Sequence, residues 1–125
     1  MYKGLGFDLC QVARMEAKAE DERFLRRFFT EEEIDYIRSR GAHAAESLAG
    51  IFAAKEAFAK AMGTGIAFDL RDVGVSHGER GDPVYVLAGK AAEMAGSDRF
   101  LLSISHDGGM AGAVCLREEG KNTEE

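Results

Sequence analysis

Leu48-Ala49-Gly50-Ile51-Phe52-Ala53-Ala54-Lys55-Glu56-Ala57-Phe58-Ala59-Lys60-Ala61-Met62 is the stretch around which the chain is organised. At about 100° per residue, Leu48, Ile51, Phe52, Phe58, Ala59 and Met62 fall in one stripe about 120° wide, which predicts a helix over 45–62. Gly63-Thr64-Gly65 stops it, because glycine closes a helix in the left-handed conformation without a steric penalty. The same triplet lacks the lysine and spacing of a phosphate-binding P-loop. Lys55 breaks the pattern, since it projects into the middle of the apolar stripe, where an ammonium needs a partner or an anion. Glu56 and Lys60 stand at i and i+4 on one flank. Two readings stay open: a helix salt bridge with Lys55 reaching outward, or a site for an anionic ligand.

Outward from this helix, Tyr2 to Leu9 alternates as a strand, with Leu5, Phe7 and Leu9 on one face and Gly4, Gly6 and Asp8 on the other. The two glycines clear room beside Asp8 for another backbone or a ligand. Residues 12–28 and 30–40 read as helical, the second opened by a capping box of Thr30 and Glu33. The pair Asp69 and Asp72 reads as a turn and cap before a strand at 73–77. Gly78 to Pro83 turns into a strand at 84–87, and a short helix covers 88–95. Phe100–Ser105 and Met110–Leu116 form a hairpin through Asp107-Gly108-Gly109. The fold class is α+β, an antiparallel sheet packed on a long central helix. One domain over 1–117 is expected, with a frayed tail from Arg117 through 118–125.

The chain has 125 residues with 46% hydrophobic and 30% charged residues and one proline, the composition of a globular domain. No apolar run approaches the ~20 residues of a membrane span, and no export signal stands at the start. Two lone cysteines, Cys10 and Cys115, make neither a disulfide framework nor a zinc motif. The expectation is a reduced, cytoplasmic domain that does not act on membranes. A net charge of −6 argues against nucleic acid as a partner.

Asp8, a carboxylate beside two glycines, joins Glu56 as one of two carboxylates of the kind Mg²⁺ takes from protein before completing its shell with water and phosphate. Lys55 and Lys60 would then face phosphate oxygens. His106 follows Leu102 and Ile104 along one strand face, and reads either as a rim histidine or as an anion contact. His43 and His77 are given no role. Arg14, Lys18, Arg23, Arg26 and Arg27, interleaved with Phe24, Phe28 and Phe29, read either as a solvated face or as a dock for a small acidic protein.

Three separated motifs, in order, resemble the holo-[acyl-carrier-protein] synthase family of 4′-phosphopantetheinyl transferases. They are Gly4-Leu5-Gly6-Phe7-Asp8 with Arg23-Phe24 and Phe29 to Glu33, then Leu48 to Ala61 with Gly63-Thr64-Gly65-Ile66, then Ser103-Ile104-Ser105-His106. The resemblance implies transfer of phosphopantetheine from coenzyme A to a serine of acyl carrier protein, in fatty acid biosynthesis, releasing adenosine 3′,5′-bisphosphate. It further implies Mg²⁺ on Asp8 and Glu56, with Lys60 on the diphosphate and His106 on a coenzyme phosphate. Carrier protein would dock at Arg14, Arg23 and Phe24, and active sites would lie between the subunits of a homotrimer. Glu56 is also the candidate acceptor of the serine proton. A rival reading is a degenerate module that binds carrier protein or coenzyme A without turnover.

Two positions depart from the family pattern. Ile51 stands where arginine is usual, and Asp82 stands in a Gly-x-Pro turn where a basic residue is usual. Both remove positive charge from the side that, by resemblance, faces the adenosine 3′-phosphate. Discrimination between coenzyme A and dephospho-coenzyme A, measured as a ratio of kcat/KM, is therefore expected to be weaker than in a typical family enzyme. An equal ratio would assign Ile51 to packing alone.

Overall fold

The computed structural model of the chain describes residues 1–120. Strand β1 (Tyr2–Gln11) leads into a short helix α1 (Val12–Met15), then α2 (Glu22–Phe28), α3 (Glu31–Ser39) and the long α4 (Ala44–Met62). The hairpin β2 (Val73–His77) and β3 (Pro83–Leu87) follows, then α5 (Gly89–Ala95) and a second hairpin of β4 (Arg99–Asp107) and β5 (Met110–Glu118). One sheet is three-stranded and antiparallel in the order β1-β5-β4, and β2-β3 forms a separate two-stranded sheet. Among the described residues, no helix is long and apolar enough to cross a membrane.

Helix α4 lies across one face of the three-stranded sheet. Glycine at 4 and 6 is a packing requirement: a methyl group at either position would run into the carbonyl oxygen of Ala61 or Ala57 on the helix. The buried small residues Ala111, Ala113 and Cys115 of β5 extend this close contact. Gly63, at φ 74°, closes α4 by donating its N–H to the carbonyls of Ala59 and Lys60. The capping box at Thr30 forms as expected, with both reciprocal hydrogen bonds present.

Two expectations change, and an alternative left open at β1 is resolved. Residues 12–28 are not one helix, because Asp21 caps a new one by accepting from the Phe24 N–H at 3.1 Å. The neighbour for which Gly4 and Gly6 clear room is the α4 backbone, so the glycine side of β1 packs on the helix and Leu5, Phe7 and Leu9 face outward, Phe7 being 55% exposed. The tail does not fray at Arg117: Arg117 and Glu118 are paired in β5, and Gly120 donates to Asp98. The rest of that expected tail, 121–125, lies outside the described residues.

Lys55 is fully buried and is corrected here as a ligand contact. Its Nζ donates to Glu33 Oε1 at 2.8 Å, to the Leu70 carbonyl at 2.8 Å and to the Val73 carbonyl at 2.9 Å. An ammonium has three N–H bonds, and all three are used. Burial holds its pKa below the usual lysine range, opposed by the charge of Glu33. Glu33, 2% exposed, also accepts from the N–H groups of Thr30 and Val75. Removing one partner of such a pair typically costs about 3–5 kcal/mol, because the other charge is left buried alone. Lys55→Met should therefore lower Tm by about 10 °C or more in a thermal melt, and adding Glu33→Gln should recover part of the loss. An unchanged Tm for Lys55→Met would show that this network does not hold the core.

Candidate active site

Asp8 reaches α4 because β1 does. It follows Gly6 by two residues, so its side chain points to the same face, where the missing Cβ lets the strand sit against the helix. There Lys60 Nζ donates to Asp8 Oδ1 at 2.9 Å and to the Phe7 carbonyl at 3.1 Å. Glu56 stands one turn earlier on α4. Its pKa is held above the usual carboxylate range, first by partial burial and then by the charge of Asp8, with Lys60 opposing. Of the two readings left open, the i,i+4 salt bridge between Glu56 and Lys60 does not form; Lys60 turns to the strand instead.

Asp8, Glu56 and Lys60 are thus brought together, two carboxylates and an ammonium at the rim of α4. Among the described residues, no cluster of three or more metal-ligating side chains exists. Two hard oxygen donors are nevertheless what Mg²⁺ takes from protein when water and phosphate supply the remainder. This pair already attracts one cation, the ammonium of Lys60, so the residues present fit such an ion.

Arg14 lies close by in α1. The Cys10 thiol is pushed up by burial and by Asp8 and Glu56, and pulled down by Arg14, so the four groups share one electrostatic neighbourhood. Phe24 is half-buried, in an aromatic cluster with Phe28, Phe29 and Phe52 at centroid distances of 5.1, 6.0 and 6.0 Å. Phe52 is one turn before Glu56, so this cluster buttresses the site's helix. Lys18 sits over the Phe24 ring at 5.0 Å, and Arg23 is exposed.

His106 is elsewhere. Its Nε2 bonds to the Glu46 carbonyl at 2.8 Å, which places the proton on that nitrogen. Ten residues of helix separate Glu46 from Glu56, about 15 Å along the axis. A single chain therefore does not bring His106 to Asp8, Glu56 and Lys60. Around His106 is a small cavity of about 160 Å³ that also borders Gly50, Ile51, Gly81 and Pro83, so Ile51 lines it and the two neighbours of Asp82 reach it. Its wall includes Tyr36 and His77, stacked at 4.0 Å with an angle of 9°. Sequence reasoning missed this stack, because its partners lie 41 positions apart and neither marks itself locally. It also missed that Glu33 binds Lys55, since the capping box accounted for Glu33 already. Asp69 caps a turn by accepting from the Arg71 N–H at 2.9 Å, as expected.

Comparison with known proteins shows the family and the fold. The model of the 4′-phosphopantetheinyl transferase superfamily matches residues 4–105. The holo-[acyl-carrier-protein] synthase of Treponema denticola is 42% identical over 94% of this chain and 99% of its own length. The crystal structure of the holo-[acyl-carrier-protein] synthase from Neisseria meningitidis superposes with a TM-score of 0.82 at 33% identity, covering 95% of this chain and 100% of that one. The enzyme from Bacillus anthracis, solved in complex with CoA (3′,5′-ADP), gives 0.82 at 32% identity, with 96% and 99% covered. Matches of this extent show that the chain belongs to the holo-[acyl-carrier-protein] synthase family of 4′-phosphopantetheinyl transferases.

Proposed function

We propose that this transferase moves 4′-phosphopantetheine from coenzyme A to a serine hydroxyl of apo acyl carrier protein, with Mg²⁺ held by Asp8 and Glu56, in the service of cytoplasmic fatty acid biosynthesis. The grouping of Asp8, Glu56 and Lys60 carries the reading. The serine oxygen bonds to the phosphorus next to the pantetheine. The bond from that phosphorus to the bridging oxygen breaks, and its electron pair leaves with adenosine 3′,5′-bisphosphate. Bound Mg²⁺ would supply charge neutralisation at the diphosphate. Lys60 offers a flexible, exposed ammonium to the same phosphates and to the leaving group. Glu56, directly or through a metal-bound water, is the candidate acceptor of the serine proton. Arg14 and Arg23, with Phe24 behind them, form the proposed dock for the acidic carrier protein.

A homotrimer is part of this proposal. Leu5, Phe7, Leu9 and Leu101 leave an apolar outer face on the sheet, Leu101 being 58% exposed. The separation of His106 from Glu56 fits the same reading, since in an assembly a second copy can bring its own His106 toward the Asp8 of the first. Light scattering should give three times the chain mass, and a monomer would remove this part. A single transferase domain over 1–117 belongs to the same proposal; the last strand runs two residues beyond its expected end at Leu116.

Incubation with apo acyl carrier protein, coenzyme A and Mg²⁺ should add one phosphopantetheine to the carrier's intact mass. Chelator should abolish the gain, and Asp8→Asn should reduce turnover by about 10² or more. Coenzyme binding without mass gain would instead favour the degenerate module. The raised pKa of Glu56 also fixes a sign. An acid held up in the fold disfavours folding once ionised, and contributes nothing below its unfolded value, where both states are protonated. Glu56→Gln should therefore raise Tm by about 1–3 °C at neutral pH, screening by solvent keeping the gain small. That gain should vanish as pH falls through the raised value into the ordinary carboxylate range.

A further inference from the structure

We infer that Lys60 is a resident counter-ion that competes with the metal for Asp8, and that the arriving diphosphate draws it off, so that coenzyme and divalent cation bind in each other's favour. The inference rests on the transferase reading and concerns how the same site is loaded.

Lys60 has two carboxylates within its range, and it takes the one on the strand. Its bonds run to Asp8 Oδ1 at 2.9 Å and to the Phe7 carbonyl at 3.1 Å, and none runs to Glu56, its i−4 neighbour on α4. The oxygen it holds belongs to one of the two carboxylates from which the site must build a metal shell. The two partners differ in freedom. The Asp8 side chain is mostly buried, on a strand pinned to α4 through Gly6, whereas the Lys60 side chain is 55% exposed on a four-carbon stem. The ammonium end of the pair stands in solvent, where screening weakens its hold, so a polyanion competes for it. A divalent cation alone meets the opposite situation, since the ammonium repels it and occupies Asp8. A diphosphate that moves Lys60 removes both obstacles together. By linkage, coenzyme then tightens the metal by the same factor by which metal tightens coenzyme.

The test is calorimetric titration of the full chain with Mn²⁺ as the probe ion, alone and at saturating coenzyme A. Wild type should bind Mn²⁺ weakly alone and more tightly with coenzyme. Lys60→Met should bind Mn²⁺ alone about tenfold more tightly, with the coupling factor reduced by a similar amount. Lys60→Arg, which keeps the charge, should stay close to wild type. Arg14→Gln serves as the charge control: it deletes one nearby positive charge that makes no bond to Asp8, and should shift Mn²⁺ binding far less. Equal Mn²⁺ affinity in Lys60→Met and wild type, or an Arg14→Gln effect as large, would overturn the inference while leaving the transferase reading intact. If wild type binds neither Mn²⁺ nor coenzyme A, both fall together. Circular dichroism of each variant separates loss of binding from loss of fold.

Discussion

The structure depends on one ammonium in its core. Lys55 sits where an apolar residue is called for, and the fold supplies one acceptor for each of its three N–H bonds. The acceptors come from α3, from the turn before β2 and from β2 itself, so one side chain of α4 fixes three neighbours at once. Glu33 completes the arrangement by also accepting from the first turn of α3 and from the free edge of β2. A buried ion pair is poor evidence of stability in itself, since desolvation opposes it. Here its effect is geometric. Glu56 is the next residue along, about 100° round the helix. A lysine locked on one side therefore holds Glu56, and Lys60 one turn on, at a fixed angle toward β1.

The second constraint is the close approach of β1. Two glycines let backbone meet backbone, and Asp8 is carried to the flank of α4 as a result. That places like charges within reach of each other, and Glu56, held up first by partial burial, keeps its proton more tightly still. The site is thus assembled against electrostatic preference by packing forces that act elsewhere. Sites poised for polyanions and cations commonly carry such strain in charge rather than in backbone.

What could be read from the sequence was local. The helix over 45–62, its glycine stop, the capping box at Thr30 and the Asp107-Gly108-Gly109 hairpin each follow from neighbouring residues, and each is present in the fold. The trio of Asp8, Glu56 and Lys60 was legible through motif resemblance and through the unusual position of Asp8 beside glycines. What stayed hidden needed long-range information. The acceptors of Lys55 lie 15 to 22 positions away, and two of them are backbone carbonyls, which no residue identity announces. Alternation in β1 showed that two faces differ but not which one meets the helix, and the apolar face turned out to be the outer one. His106 matched its motif, yet the chain holds it at the far end of α4 by a single backbone carbonyl.

The pairing of β1 with β5 also bears on the order of synthesis. Tyr2 lies opposite Glu118 and Asp8 opposite Ala113, so β1 must wait for a strand made about a hundred residues later. Until β5 emerges, β1 has no neighbour on the sheet, and its Leu5, Phe7 and Leu9 travel with a nascent chain already carrying an apolar α4. Contacts of such sequence separation form late and slowly. Truncation at the ribosome therefore releases a chain that contains every residue of the trio but lacks the strand that aligns Asp8.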